Sequence, residues 1–104
     1  MTMAPIVVLM TEAVVVEDRV LFTLPALCQA SGAAEEQVHA LVDEGLLQPQ
    51  GQGPQDWRFS GDALPRTRRA LRLASDFGID LAAVALVMEL LAEIARLRSR
   101  QRLS

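Results

Sequence analysis

The chain holds one histidine, His39, one cysteine, Cys28, and no tyrosine. Nucleophilic catalysis needs a nucleophile in reach of a base that is itself oriented by a third group. His39 stands among the acids of its own segment with no nucleophile near it, and reads as a solvated surface histidine. Cys28 falls on the apolar side of a short helical pattern, where a cysteine is a small hydrophobe more often than a thiolate. Glu35 and His39 share one helix face at i, i+4 spacing, but a metal site needs further ligands. Gly51-Gln52-Gly53 lacks the strand–loop–helix setting and the lysine of a phosphate cradle. The expectation is a protein without catalytic residues, metal or cofactor.

The informative chemistry is charge. Residues 1–56 carry eight acids against Arg19, whereas residues 57–104 carry nine arginines against five acids. Glu36, Asp43 and Glu44 lie on the outer side of one predicted helix, with His39 flanking them. Arg68, Arg69 and Arg72 point outward from another. Arg96, Arg98, Arg100 and Arg102 spread around a third, near its C-terminal end, where cations also favour the helix dipole.

These residues are positioned by an alternation of short elements. Residues 1–19 read as an N-terminal arm or short strands, with β-branched runs at 5–10 and 14–16. Val20 to Thr23 reads as a strand entering a helix, with Thr23 as N-cap and Pro25 tolerated in the first turn. That helix spans Leu24 to about Ala30 and ends at Gly32. A second runs from about Ala34 to Glu44, with Val38, Leu41 and Val42 inward and Gly45 as its stop. Two helices joined by a tight turn containing Gly32 make a helix-turn-helix.

A two-stranded wing follows, from Leu46 through the Gly51–Pro54 loop to Trp57-Arg58-Phe59. Ser60 or Asp62 caps a third helix reaching about Phe77. Its expected inner face is Ala63, Leu64, Ala70, Leu71, Ala74 and Phe77. After Gly78, Asp80 caps a last helix of residues 81–102, roughly 33 Å at about 1.5 Å per residue. One small domain cannot cover such a helix. Ala83, Val87, Leu90, Ile94 and Leu97 recur at 4-3-4-3 spacing, a seam for a second copy of the chain. The fold class is therefore mainly α: a winged helix-turn-helix over residues 20–79, a short β wing, and a dimerisation helix over residues 80–104.

Length and composition agree. With 104 residues, the chain makes one small domain with one modest core. Apolar residues at 51% exclude disorder throughout. A net charge of −3 and a pI near 5.0 argue against a general polyanion binder. One cysteine allows no internal disulfide, so a reducing cytoplasm fits. The apolar stretch from Met3 to Met10 has no basic flank and is too short for a bilayer, so neither a signal peptide nor a membrane span is expected.

The order of elements resembles the MerR-type winged helix-turn-helix. The matching stretches are Phe22-Thr23-Leu24, Ser31-Gly32, Glu44 to Pro49, Trp57 to Ser60 and Phe77 to Leu81. MerR regulators carry an arginine followed by aromatics in the reading helix, where this chain has Glu36-Gln37-Val38-His39-Ala40-Leu41. Carboxylates meet DNA phosphates unfavourably. Leu27-Cys28, Leu47-Gln48-Pro49, Asp56 to Phe59 and Arg69 to Leu73 are most similar to the CbpM chaperone modulators. That resemblance implies a cytoplasmic homodimer that binds and inhibits the J-domain of a DnaJ-like, CbpA-type co-chaperone. Glu36, His39, Asp43 and Glu44 are the expected partner-binding residues, and Ala83, Val87, Leu90, Ile94 and Leu97 the dimer interface. The alternative from the broader family is a MerR-like DNA-binding transcription regulator using Arg58 and the outward arginines of the third helix.

Overall fold

In the computed structural model, residues 13–16 and 19–103 are described. The apolar stretch expected at residues 5–10 lies outside them. β1 (Ala13–Val16) and β2 (Arg19–Phe22) form an antiparallel hairpin in the register Ala13↔Phe22 to Val16↔Arg19. β3 (Phe59–Ser60) pairs with the other edge of β2, giving the order β1-β2-β3. Four helices follow the chain: α1 (Leu24–Ser31), α2 (Glu35–Asp43), α3 (Ala63–Phe77) and α4 (Leu81–Leu103).

Local chemistry sets these boundaries. The Thr23 hydroxyl accepts the Ala26 amide at 3.2 Å, satisfying one of the orphan donors of the first turn of α1. Gly32 adopts φ 83° and its amide returns to the Cys28 carbonyl. There the left-handed region favours a residue without Cβ. Ser31 Oγ donates to the Leu27 carbonyl and accepts from the Ala33 amide, which locks the turn between the two helices. Ala34 has no capping oxygen. Gln37 Oε1 instead reaches back to accept the N-cap residue's own amide, that of Ala34, at 2.9 Å.

The expected wing is tied by less pairing than a two-stranded ribbon. Gln50 and Arg58 form one antiparallel bridge, with N–H···O distances of 3.0 and 2.9 Å. Phe59-Ser60 then leaves the wing to join β2. A Cβ at Gly51 would stand 2.5 Å from the Asp56 carbonyl oxygen, so the loop closes only over glycine.

The core joins every helix. Leu24, Leu27, Val38, Leu41, Leu47, Phe59, Ala70 and Val84 are buried together. Phe59 brings the sheet into this cluster, and Val84 brings in the first turns of α4. On α3 the buried stripe is Ala63, Thr67 and Ala70, at i, i+4, i+7. One expectation for α3 is corrected and one is met in part. Phe77 does not face inward: it is 70% exposed, because the chain turns away at Gly78 (φ 62°) before the helix reaches the core again. Asp62, one of the two expected residues, is the N-cap of α3, but its side chain makes no capping hydrogen bond. Ser60 Oγ donates to Asp62 Oδ1, and Asp62 pairs with Arg66 at 3.5 Å.

α4 has 23 residues, and Asp80 Oδ1 caps it by accepting the Ala83 amide at 2.8 Å. Val84 and Ala85 are buried, and Leu81 and Met88 pack partly against the core. From Glu89 to Arg102 every residue is exposed. The helix thus has a seated N-terminal third and a projecting remainder. Among the described residues no helix is long and apolar enough to cross a membrane.

Candidate partner-binding site

The outer side of α2 is where the expected site residues stand. Val38 and Leu41 fix the helix by burial, which leaves Glu36, Asp43 and Glu44 exposed. Arg66 and Arg96 are the only described residues that pair with an acid, on Asp62 and Glu93, so these three carboxylates have no ion pair among the described residues. Their places on the helix are not equivalent. Glu36 is in the first turn beside Glu35, where the helix dipole favours negative charge. Asp43 and Glu44 stand at the last residue and the C-cap, with no base in the last turn. There the dipole disfavours a carboxylate by roughly 0.3–1 kcal/mol. Folding alone therefore gives no reason for acids at this end.

His39 departs from its expected role as a solvated residue. It is half-buried, and its ring centroid lies 5.0 Å from that of Trp57, at 46°. Trp57 in turn meets Phe59 edge-on at 5.8 Å. A file of three rings runs from the α2 surface through the wing into the core. The tilted His39–Trp57 contact joins α2 to the wing, and the edge-to-face Trp57–Phe59 contact joins the wing to the core. The wing partner of His39 was not legible from sequence, because the Gly51–Pro54 loop decides which side of the ribbon faces α2.

The arginines separate into tied and untied groups. Arg68 donates to the Ala30 carbonyl at 3.0 Å, bracing α3 against the end of α1. Arg66 donates to the Leu46 carbonyl at 3.3 Å in addition to its pairing with Asp62. Arg58 turns back onto the Trp57 carbonyl at 2.9 Å. Arg69 and Arg72 remain exposed on α3 without an ion pair. A groove of about 480 Å³ lies between the end of α2, α3 and α4, with Glu44, Leu46, Arg69, Met88 and Leu91 among its walls. Glu44 therefore belongs both to the acidic face and to this groove, a convergence of distant segments that spacing along the chain does not show.

Neither thiol nor metal chemistry adds to the site. Burial raises the Cys28 thiol above its ordinary pKa, and the nearby Glu35 charge raises it further, so the group stays protonated at neutral pH. Among the described residues no three His, Cys, Asp or Glu side chains converge as a metal site.

The seam residues fall on two levels. Ala83 and Val87 are half-buried, whereas Leu90, Ile94 and Leu97 are 53%, 44% and 45% exposed. On a helical wheel their centre lies about 100–140° from the core-facing Val84 and Met88. The apolar stripe thus adjoins the seating face of α4 at Ala83 and Val87 and runs on beyond it along exposed Leu90, Ile94 and Leu97.

Comparison with known proteins agrees with this architecture. Residues 22–103 match the family described as MerR HTH family regulatory protein. A protein named "Chaperone modulatory protein CbpM" from Pseudomonas putida (strain GB-1) is 39% identical over 82 residues, covering 74% of this chain and 81% of that one. Its namesake in Salmonella paratyphi B is 34% identical over 84 residues, covering 81% and 83%. The match spans both the helix-turn-helix and the long α4. The chain belongs to the CbpM family of MerR-like helix-turn-helix proteins.

Proposed function

We propose that this protein is a homodimeric, cytoplasmic chaperone modulator that binds and inhibits the J-domain of a DnaJ-like, CbpA-type co-chaperone. It acts by occupying a surface and carries no catalysis. Its relatives are named as chaperone modulators, which supports a partner in the chaperone system. The observation that carries the reading is the pair of carboxylates at the end of α2, Asp43 and Glu44, which make no ion pair among the described residues. A basic helix laid against α2 removes the dipole penalty on these acids and pairs them, a gain that solvent alone does not supply. J-domains present such a helix to their Hsp70, so one surface cannot serve both partners.

Glu36 extends the acidic face by two helical turns, and His39, held by Trp57, makes its rigid floor. The same face opposes duplex DNA, whose phosphates would approach Glu36 and Asp43. The seam of α4 is the natural contact for a second copy, since burying a Leu or Ile contributes about 1.5–3 kcal/mol.

The test is titration of the purified protein with the J-domain of the co-chaperone encoded in the same genome. The expected result is a saturable complex that weakens as salt rises and that lowers J-domain stimulation of Hsp70 ATPase. A sequence-selective DNA complex at physiological salt, with no J-domain complex, overturns the reading.

A further inference from the structure

We infer that the cleft between the starts of α1 and α2 and the wing loop is a binding site for a small zwitterion, an ammonium and a carboxylate joined by a short apolar stem, held between Glu35 and Arg58. The inference is independent of the J-domain reading. The carboxylates that carry that reading stand at the other end of α2, with Asp43 about 12 Å from Glu35 along the helix axis.

The cleft has a volume of about 490 Å³, within the size range of small-molecule sites. Leu24 and Pro25 on α1 and Pro54 on the wing loop give it apolar walls, and Glu35 and Arg58 give it one charge of each sign. The two charges share the cleft, yet they make no ion pair with each other or with any other described residue. A single carboxylate selects a cation, and a single guanidinium selects an anion. The two set apart across an apolar gap select a molecule that carries both charges on one stem.

Each charge is set in place by its own element. Arg58 is half-buried, and its Nη1 donates to the Trp57 carbonyl at 2.9 Å. That bond fixes the guanidinium and leaves its remaining donors for a carboxylate. Trp57 is itself packed on His39 and Phe59. Glu35 opens α2, and its charge is felt at Cys28 on α1, so its carboxylate stands toward α1 and the cleft. Both charges are thus positioned before a ligand arrives, which limits the ordering cost of binding. The ammonium goes to Glu35, the carboxylate to Arg58, and the stem lies between Pro25 and Pro54.

Titration of the full chain with ε-aminocaproate, followed by amide NMR, tests the site. Saturable shifts are expected at Leu24, Glu35, Gln55 and Arg58. The zwitterion is expected to bind about tenfold more tightly than caproate or pentylamine, each of which lacks one of the two charges. In Glu35→Gln the advantage over caproate is expected to vanish while the advantage over pentylamine remains. Arg58→Gln is expected to show the reverse. The bridge between Gln50 and Arg58 uses backbone atoms, so this variant keeps the wing, and Glu35→Gln decides the matter alone if it does not. Equal affinity for ε-aminocaproate and pentylamine, or unchanged selectivity in Glu35→Gln, overturns the pairing of charges. Absence of saturable shifts, or shifts centred on the groove at Glu44, overturns the site.

Discussion

His39 on α2 and Trp57 on the wing are in ring contact, 5.0 Å between centroids. The contact ties the helix that bears the candidate acids to a loop whose own backbone pairing is a single bridge. The rigidity of the acidic face thus depends on a side-chain contact rather than on sheet hydrogen bonds.

Trp57→Ala should therefore act at two levels. It removes a half-buried ring packed on Phe59 and His39, at a cost of about 2 kcal/mol in chemical denaturation, below the range for a fully buried aromatic. It should also raise amide exchange in residues 50–58 and at His39 more than in α3. Uniform exchange across the domain would mean that the ring file does not brace the wing.

Thr67 is fully buried on α3, and its hydroxyl has no hydrogen-bond partner among the described residues. An unpaired buried hydroxyl costs about 1–3 kcal/mol. Thr67→Val keeps the shape and removes the polar atom. A gain of roughly 1 kcal/mol in unfolding free energy is expected, and a loss of that size would reveal a hydrogen bond to Oγ1.

The two ends of α2 should respond oppositely to neutralisation at low salt. Asp43→Asn and Glu44→Gln remove acids from the negative end of the helix dipole and should each stabilise the free protein by a few tenths of a kcal/mol. Glu36→Gln removes an acid from the favourable end and should destabilise it by a similar amount. The same Asp43 and Glu44 variants should bind the J-domain more weakly. Acids that stabilise the fold and do not affect binding would be surface solvation alone.

Cys28 supplies a pH test. Its thiol is raised in the folded state, first by burial and then by the charge of Glu35. The folded protein thus holds this proton to higher pH than the unfolded chain does. The contribution to stability is present in full below the ordinary thiol pKa, about 8.5, and declines above it. Alkylation should be slow at neutral pH and faster in Glu35→Gln. Rapid alkylation at pH 7 in the native protein would contradict the raised thiol.

Much of the fold was legible because each boundary has a local cause. Thr23, Gly32, Gly45, Gly78 and Asp80 are caps and stops whose chemistry acts within a few residues. The helical stripes of Val38 and Leu41 were readable for the same reason. The misplaced residues depend on the path of the chain. Phe77 continues the apolar period of α3, but where the helix ends relative to α4 decides its exposure. His39 follows the period of α2 outward, yet the wing folds over it. Arg68 looked free beside Arg69 and Arg72 until the end of α1 supplied a carbonyl. The acids of α2 were visible as a face, whereas the dipole argument that separates Glu36 from Asp43 and Glu44 needed the helix ends.

The central claim is that the outer face of α2 holds a basic helix of the J-domain. The most direct measurement is calorimetric titration of that J-domain into the Glu36→Lys, Asp43→Lys double variant, beside the unaltered protein, at two salt concentrations. Both substitutions lie on solvent, so helical content and dimer mass should be unchanged. The expected result is loss of binding by tenfold or more, about 1.4 kcal/mol, together with loss of its salt dependence and of J-domain inhibition. A folded, dimeric double variant that binds and inhibits the J-domain with unchanged affinity would contradict the claim.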